Sequence, residues 1–329
     1  MNYLFLNILR SKKYYCIKTC FICIHIVYLK KQCEASQNEH IIKIDMVKII
    51  DCPRDAIQGI RDFIPTGKKI EYLDQLLKVG FHTIDFGSFV SPRAIPQLSD
   101  TAEVVQNLKR GNSSTELLAI VVNERGAIDA CMFDSIKYLG FPFSVSETFL
   151  IKNTRLTIPV AFDLVQRMKK CTDDKNKKLV VHISMAFGNP YNDDYDYSTV
   201  YKWISKLSDI GIDIIVLSDT VGIGKTSDIF NIFNSVIPEF PGIEFGAHLH
   251  SAQSGWRSKI EAAYNGGCRR FDGALRGIGG CPMSGVDLVG NISTENIIYF
   301  LEEMGENTGI NKELLNDILD RAAHFYPAY

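Results

Sequence analysis

The sequence predicts a single (β/α)8 TIM barrel with additional C-terminal helices. Three observations carry that expectation. After Met46, eight short β-branched runs alternate with helical patterns of amphipathic period. The runs are too apolar for a sheet with one wet face, which fits parallel strands covered on both sides. No G-x-G-x-x-G follows the first run, which disfavours the runner-up, a doubly wound open sheet.

Taken in order, the strands are expected at residues 47–51, 83–88, 117–122, 136–143, 179–187, 212–220, 243–250 and 269–275. Helices are expected between them at 68–79, 95–108, 158–171, 200–210, 226–237 and 256–265. Thr66 and Ser198 suit helix starts, because their hydroxyls can accept from the first free backbone N–H groups. Gly80, Gly211 and the pair Gly266-Gly267 stand where helices should stop. The tail from Thr294 reads as two more helices, 295–304 and 312–325.

Residues 1–45 differ from the rest. They hold seven basic and three acidic residues, against 29 basic and 35 acidic in the remainder. Residues 19–29 are mostly apolar but fall well short of the roughly 18 needed to span a bilayer. Lys12 and Lys13 precede them as in a signal peptide, yet no small-residue cleavage site follows. The segment is rich in residues with AT-rich codons. It is read as an N-terminal extension outside the fold, translated upstream sequence with Met46 as the natural start. A weak signal anchor is the alternative. Cys16, Cys20 and Cys23 resemble half a zinc knuckle without its second half.

Composition sets the class. At 329 residues, 46% hydrophobic and 22% charged, the chain is ordinary for a soluble globular enzyme with a sizeable core. A net charge of −2 gives no whole-chain argument for nucleic acid, and no run argues for a membrane partner. Nine cysteines without paired spacing point to a reducing compartment, the cytoplasm.

The most informative feature is Ala247-His248-Leu249-His250 at the end of the seventh run. Residues i and i+2 of a strand share a face, so the two imidazoles project together as half of a divalent-metal site. Asp51-Cys52-Pro53-Arg54-Asp55 follows the first run and sets an oxygen ligand beside a fixed positive charge. Gly279-Gly280-Cys281-Pro282-Met283, with Gly290-Asn291 beyond it, puts a thiol on a tight loop after the eighth. In a closed barrel, runs 1, 7 and 8 are neighbours, and their carboxyl ends form one mouth. Asp55, His248 and His250, with a carbonyl or amide oxygen of Asn291 as a fourth, make an open N/O set suited to Mg2+, Mn2+ or Zn2+. Arg54 could neutralise an enolate oxygen and Cys281 could move a proton. These parts suit making or breaking a carbon–carbon bond beside a carbonyl.

On these residues the chain resembles 3-hydroxy-3-methylglutaryl-CoA lyases, of the DRE-TIM metallolyase barrels, in their bacterial-type branch. The matching text is P-R-D-A-I-Q at 53–58, I-D-F-G-S-F-V-S-P-R at 84–93, L-S-D-T at 217–220, H-L-H at 248–250, G-G-C-P-M at 279–283 and G-N at 290–291. The resemblance implies a lyase cleaving 3-hydroxy-3-methylglutaryl-CoA to acetyl-CoA and acetoacetate. It implies Mg2+ or Mn2+ held by Asp55, His248 and His250, with Asn291 near. Arg54 would stabilise the enolate of departing acetyl-CoA, and Cys281 would supply the loop thiol. Asp85, where the family usually has Glu, would organise Arg54. Asp219 would stand near the substrate hydroxyl, and His248 would join the catalytic set. A homodimer is also implied. Ser251 replaces a usual Asp and Ala56 a usual Gly, and both are expected to reshape the acyl pocket. A related 2-keto-acid condensing synthase or aldolase, or a non-catalytic barrel, remains the alternative.

Some residues are ambiguous by sequence. His182 reads best as a satisfied interior histidine. The run Gly222-Ile223-Gly224-Lys225 reads as a plain loop more readily than as a phosphate cradle. Phe141-Pro142-Phe143 could line a ligand or the core.

Overall fold

A computed structural model describes residues 46–280 and 289–326. Eight parallel strands close on themselves in sequence order, β1 pairing with both β2 and β8. They are β1 Lys48–Asp51, β2 Thr83–Ser88, β3 Glu116–Ile120, β4 Ile136–Ser144, β5 Lys178–Ser184, β6 Ile214–Asp219, β7 Glu244–Leu249 and β8 Arg270–Gly273. The barrel expectation holds. Every expected strand falls within a few residues of its place.

The helices are α1 Pro53–Ile57, α2 Thr66–Val79, α3 Thr101–Asn107, α4 Glu124–Cys131, α5 Glu147–Thr154, α6 Ile158–Asp174, α7 Tyr197–Asp209, α8 Thr226–Glu239, α9 Trp256–Asn265, α10 Thr294–Glu303 and α11 Lys312–Phe325. Three were not expected: α1, α4 and α5. They have five, eight and eight residues, too short for a clear period. Two carry a cap that sequence does show. Asn123 accepts from the Gly126 N–H, and Ser146 from the Phe149 N–H. The expected caps moved. Asp196, not Ser198, caps α7, and Thr66 is itself the first residue of α2, its hydroxyl donating to Asp100 instead. Gly80 ends α2 at φ +101°, where a Cβ would meet the Gly309 carbonyl oxygen at 2.7 Å.

Side-chain alternation divides the strands between two environments. Along β6, Ile215 and Leu217 pack outward into the main core under the helices, while Ile214 and Val216 point into the barrel. The inward cluster comprises Leu118, Ile120, Tyr138, Val180, Ile214 and Val216, all from β3 to β6. The β7–β8–β1 side of the interior is charged instead. There Arg270 is buried, with Nη1 2.9 Å from Glu244 Oε1, and Lys48 Nζ pairs with the same carboxylate. Barrel interiors are ordinarily filled by branched aliphatic layers. Gly246 lies opposite Arg270 in register, and a Cβ on it would sit 2.9 Å from Arg270 Cδ, so the missing side chain makes room for the guanidinium.

Among the described residues, no helix is long and apolar enough to cross a membrane. Cys52, Cys131, Cys171 and Cys268 are free thiols.

Candidate active site at the carboxyl mouth of the barrel

Arg54 and Asp55 leave β1 on the first turn of α1, whose Pro53 suits a position with no N–H to satisfy. His248 lies in β7, and His250 follows it in a bridge to Asn291. One ligand atom each from Asp55, His248 and His250 lies within 4.8 Å of the other two. The three residues that sequence placed together are together.

Their partners fix which atoms face inward. His250 Nδ1 lies 2.8 Å from the Val289 carbonyl, which can only accept, so Nδ1 carries the proton and Nε2 is bare. Asp55 Oδ1 accepts from Arg54 Nη1 at 2.9 Å and from Gln58 Nε2 at 2.6 Å. Its Oδ2 accepts from Asn291 Nδ2 at 2.6 Å and from the Gly280 N–H at 3.2 Å. Asn291 thus enters through its amide nitrogen, which also donates to the Ile278 carbonyl at 2.9 Å. Burial, the largest single influence, would raise the Asp55 pKa, but Arg54, His248, His250 and Asn291 together outweigh it and hold it at about 2. The carboxylate is therefore ionised and ready to bind a cation. Burial and the neighbouring His248 push His250 down, which keeps it a neutral ligand.

Asp85 grips Arg54 rather than the cavity. Arg54 Nε lies 3.0 Å from Asp85 Oδ2 and Arg54 Nη2 lies 2.5 Å from the same oxygen. With Nη1 on Asp55 and on Gln58 at 3.0 Å, the guanidinium plane is set from three sides.

Asp219 lies elsewhere. It shares the outward phase of β6 with Ile215 and Leu217. Its Oδ2 pairs with Lys259 Nζ at 2.6 Å, and its Oδ1 accepts from the Gly224 N–H at 3.0 Å. The inward residues of that strand end, Ser218 and Thr220, line the cavity in its place. The Gly222–Lys225 run is accordingly a loop folded onto Asp219.

The cavity over these residues has a volume of about 380 Å3. Arg54, Asp55, His248 and His250 are among its lining residues. Ile120, Val122, Pro142 and Phe149 add apolar lining, and Ser184, Ser218 and Thr220 add hydroxyl groups. Pro142 of the ambiguous aromatic run thus faces ligand space, whereas Phe141 and Phe143 are core. Ser251 and Ala56 line none of it. Ser251 donates to the Ala252 carbonyl, and Ala56 packs beneath Gly279, so neither reaches this cavity. Cys281 lies outside the described residues; Gly279 and Gly280 before it have φ of +100° and +126°, and Gly280 is tied to Asp55.

Two inward residues carry signals the sequence did not decode. His182 also lines the cavity, its ring 6.2 Å from that of His248 and edge-on to it. Its buried Nε2 has no hydrogen-bond partner, so it is not the satisfied interior histidine expected. Burial drives its pKa to about 3 and leaves it neutral. Asp272 lies opposite His248 in register, its Oδ2 3.5 Å from His248 Nδ1. Cys52, His248 and Asp272 form a second close triplet. Burial pushes the Cys52 thiol well above its usual range, which disfavours the thiolate a cation would need there.

A parallel (β/α)8 barrel with ionised carboxylate, paired imidazoles and a clamped guanidinium at its carboxyl mouth defines a barrel enzyme, with a donor set that fits a divalent cation. The family description HMGL-like matches residues 46–321, and the chain belongs to that family of carbon–carbon lyases. It is 29% identical over 263 residues to the hydroxymethylglutaryl-CoA lyase of Bacillus subtilis, covering 80% of this chain and 87% of that one. It is 31% identical over 268 residues to the cytoplasmic 3-hydroxy-3-methylglutaryl-CoA lyase of Rattus norvegicus, covering 81% and 77%. Among solved structures, an HMG-CoA lyase from Acinetobacter baumannii in complex with coenzyme A and 3-methylmalate superposes with a TM-score of 0.79 at 29% identity, over 86% of this chain and 92% of that one.

Proposed function

We propose that this protein cleaves 3-hydroxy-3-methylglutaryl-CoA to acetyl-CoA and acetoacetate with a divalent cation, Mg2+ or Mn2+. The convergence of Asp55, His248 and His250 beside the clamped Arg54, under a cavity large enough for an acyl group, carries the reading. Similarity to named lyases over four-fifths of the chain supports it. The catalytic unit is taken as 46–329, in a cytoplasmic homodimer.

Asp55 and the bare nitrogens of His248 and His250 would hold the cation, with Asn291 beside them bracing Asp55 through its amide nitrogen. A bound cation supplies a Lewis acid that acidifies the substrate 3-hydroxyl and orients its neighbouring oxygens. The residues then divide the work. The hydroxyl proton leaves to water at the open mouth, and the bond between C2 and C3 breaks. Its electron pair moves onto the thioester oxygen, where the fixed Arg54 guanidinium meets the enolate charge. Asp85 holds that guanidinium in plane. A proton returned to C2 completes acetyl-CoA, and acetoacetate is the other product. Cys281 is assigned that proton transfer on resemblance alone. His182, with its unpaired nitrogen, offers a neutral hydrogen bond to the acyl group. Asp219 acts at a distance, by fixing the strand end that presents Ser218 and Thr220.

The test is product analysis of the full-length protein with the thioester and Mg2+ or Mn2+. Equal acetyl-CoA and acetoacetate, abolished by chelator, are expected. Free CoA released from acetyl-CoA and a 2-keto acid would instead mark a condensing enzyme, and no turnover with any of these would mark a non-catalytic barrel.

A further inference from the structure

Five buried side-chain atoms without a hydrogen-bond partner belong to four residues of the barrel interior: His182 Nε2, His248 Nδ1, Asp272 Oδ1, and Nε and Nη2 of Arg270. Buried polar atoms left unpaired are costly, and a group of them in one place calls for a cause. Strand register brings three of the residues together. Gly246 and His248 of β7 lie opposite Arg270 and Asp272 of β8, all on the inward face. Arg270 Nε is 3.9 Å from Asp272 Oδ1, and Asp272 Oδ2 is 3.5 Å from His248 Nδ1. Glu244 and Lys48 anchor the far side of Arg270. The charges therefore run from the barrel floor to the ring of one cation ligand, through space that Gly246 leaves open.

We propose that Asp272, braced by Arg270, is a positioning residue that holds the His248 ring with its proton on Nδ1 and its bare Nε2 turned to the cation site. This rests on the proposed cation reading for its purpose but not for its geometry. A carboxylate behind a ligand imidazole fixes the tautomer and strengthens the ligand. The spacings are longer than hydrogen bonds, as such contacts often are before substrate and cation draw the site together. The glycine opposite Arg270 is the structural cost of keeping a charge where an aliphatic layer would otherwise pack.

The experiment is nitrogen-15 NMR of histidine-labelled, metal-free full-length protein at alkaline pH, with His248 identified by its absence in His248→Gln. The wild type is expected to show the Nδ1–H tautomer at His248, and Asp272→Asn to shift it towards Nε2–H. Calorimetry should then show Mn2+ affinity lower by about 10- to 100-fold in Asp272→Asn. An Nε2–H tautomer in the wild type overturns the proposal without recourse to any variant. An unchanged tautomer in a folded Asp272→Asn does the same. A wild type with the Nδ1–H tautomer, sensitive to Asp272→Asn, that binds no Mn2+ supports the positioning role and sinks the cation reading instead.

Discussion

Asp85 meets Arg54 side-on, its Oδ2 3.0 Å from Nε and 2.5 Å from Nη2, so that one short carboxylate aims the only guanidinium lining the described cavity. The geometry makes Asp85 a support, and its loss should be read through Arg54.

Replacing Asp85 by Ala leaves the guanidinium charged but held through Nη1 alone, by Asp55 and Gln58. Turnover should fall about 100- to 1000-fold, the size of losing one oriented donor to a developing oxyanion. Mn2+ affinity measured by calorimetry should change little, because Asp85 does not face the ion. Arg54→Lys should lower kcat similarly, since an ammonium cannot reproduce the fork. A kcat near wild type in either variant would remove Arg54 from charge stabilisation.

His182→Leu is expected to separate stability from activity. Removing an unpaired buried nitrogen for an apolar group of similar size is neutral or stabilising. Tm should therefore hold or rise, while kcat/KM falls about tenfold with the loss of one hydrogen bond to substrate. Lower Tm together with unchanged kinetics would show that His182 is packing alone.

Asp51 carries a pH dependence that lies outside the active site. It points away from the cavity, accepting from Thr294 Oγ1 at 2.6 Å and from the Leu275 N–H at 3.1 Å, while its Oδ2 has no partner. Burial raises its pKa from 3.8 to about 7, against the pull of Thr294. The fold therefore favours the protonated acid. Its contribution to stability is full below about pH 4 and is lost as pH rises towards 7. Denaturant titrations should show Asp51→Asn gaining on the wild type across that window, by a few kcal/mol at about one unit of 1.4 kcal/mol per pH unit. Parallel pH profiles for the two proteins would contradict this.

Cys281→Ala should lower turnover severely and leave Mn2+ binding intact, as expected of a thiol that moves a proton and holds no ion. Full activity in that variant would exclude the thiol from the chemistry.

Much of the fold and the convergence of Asp55, His248 and His250 were legible in sequence for one reason. Strand parity and barrel closure are both set by local pattern, so His248, His250, Asp55 and the β1–β8 seam could be joined without coordinates. The misreadings come from the same parity applied incompletely. Asp219 is odd-numbered in a strand whose inward residues, Ile214, Val216 and Ser218, are even, so its outward face could have been foreseen. Asp272 stands two residues after Arg270, but only register shows that it faces His248. For His182, sequence places the ring inside the barrel. Whether a neighbour satisfies it depends on packing across strands, and no local pattern encodes that.

The central claim is tested most directly by anomalous diffraction from crystals of the full-length protein soaked in Mn2+. The account predicts one strong peak within bonding distance of Asp55, His248 and His250. A peak between Cys52, His248 and Asp272, or none near either histidine, would contradict it.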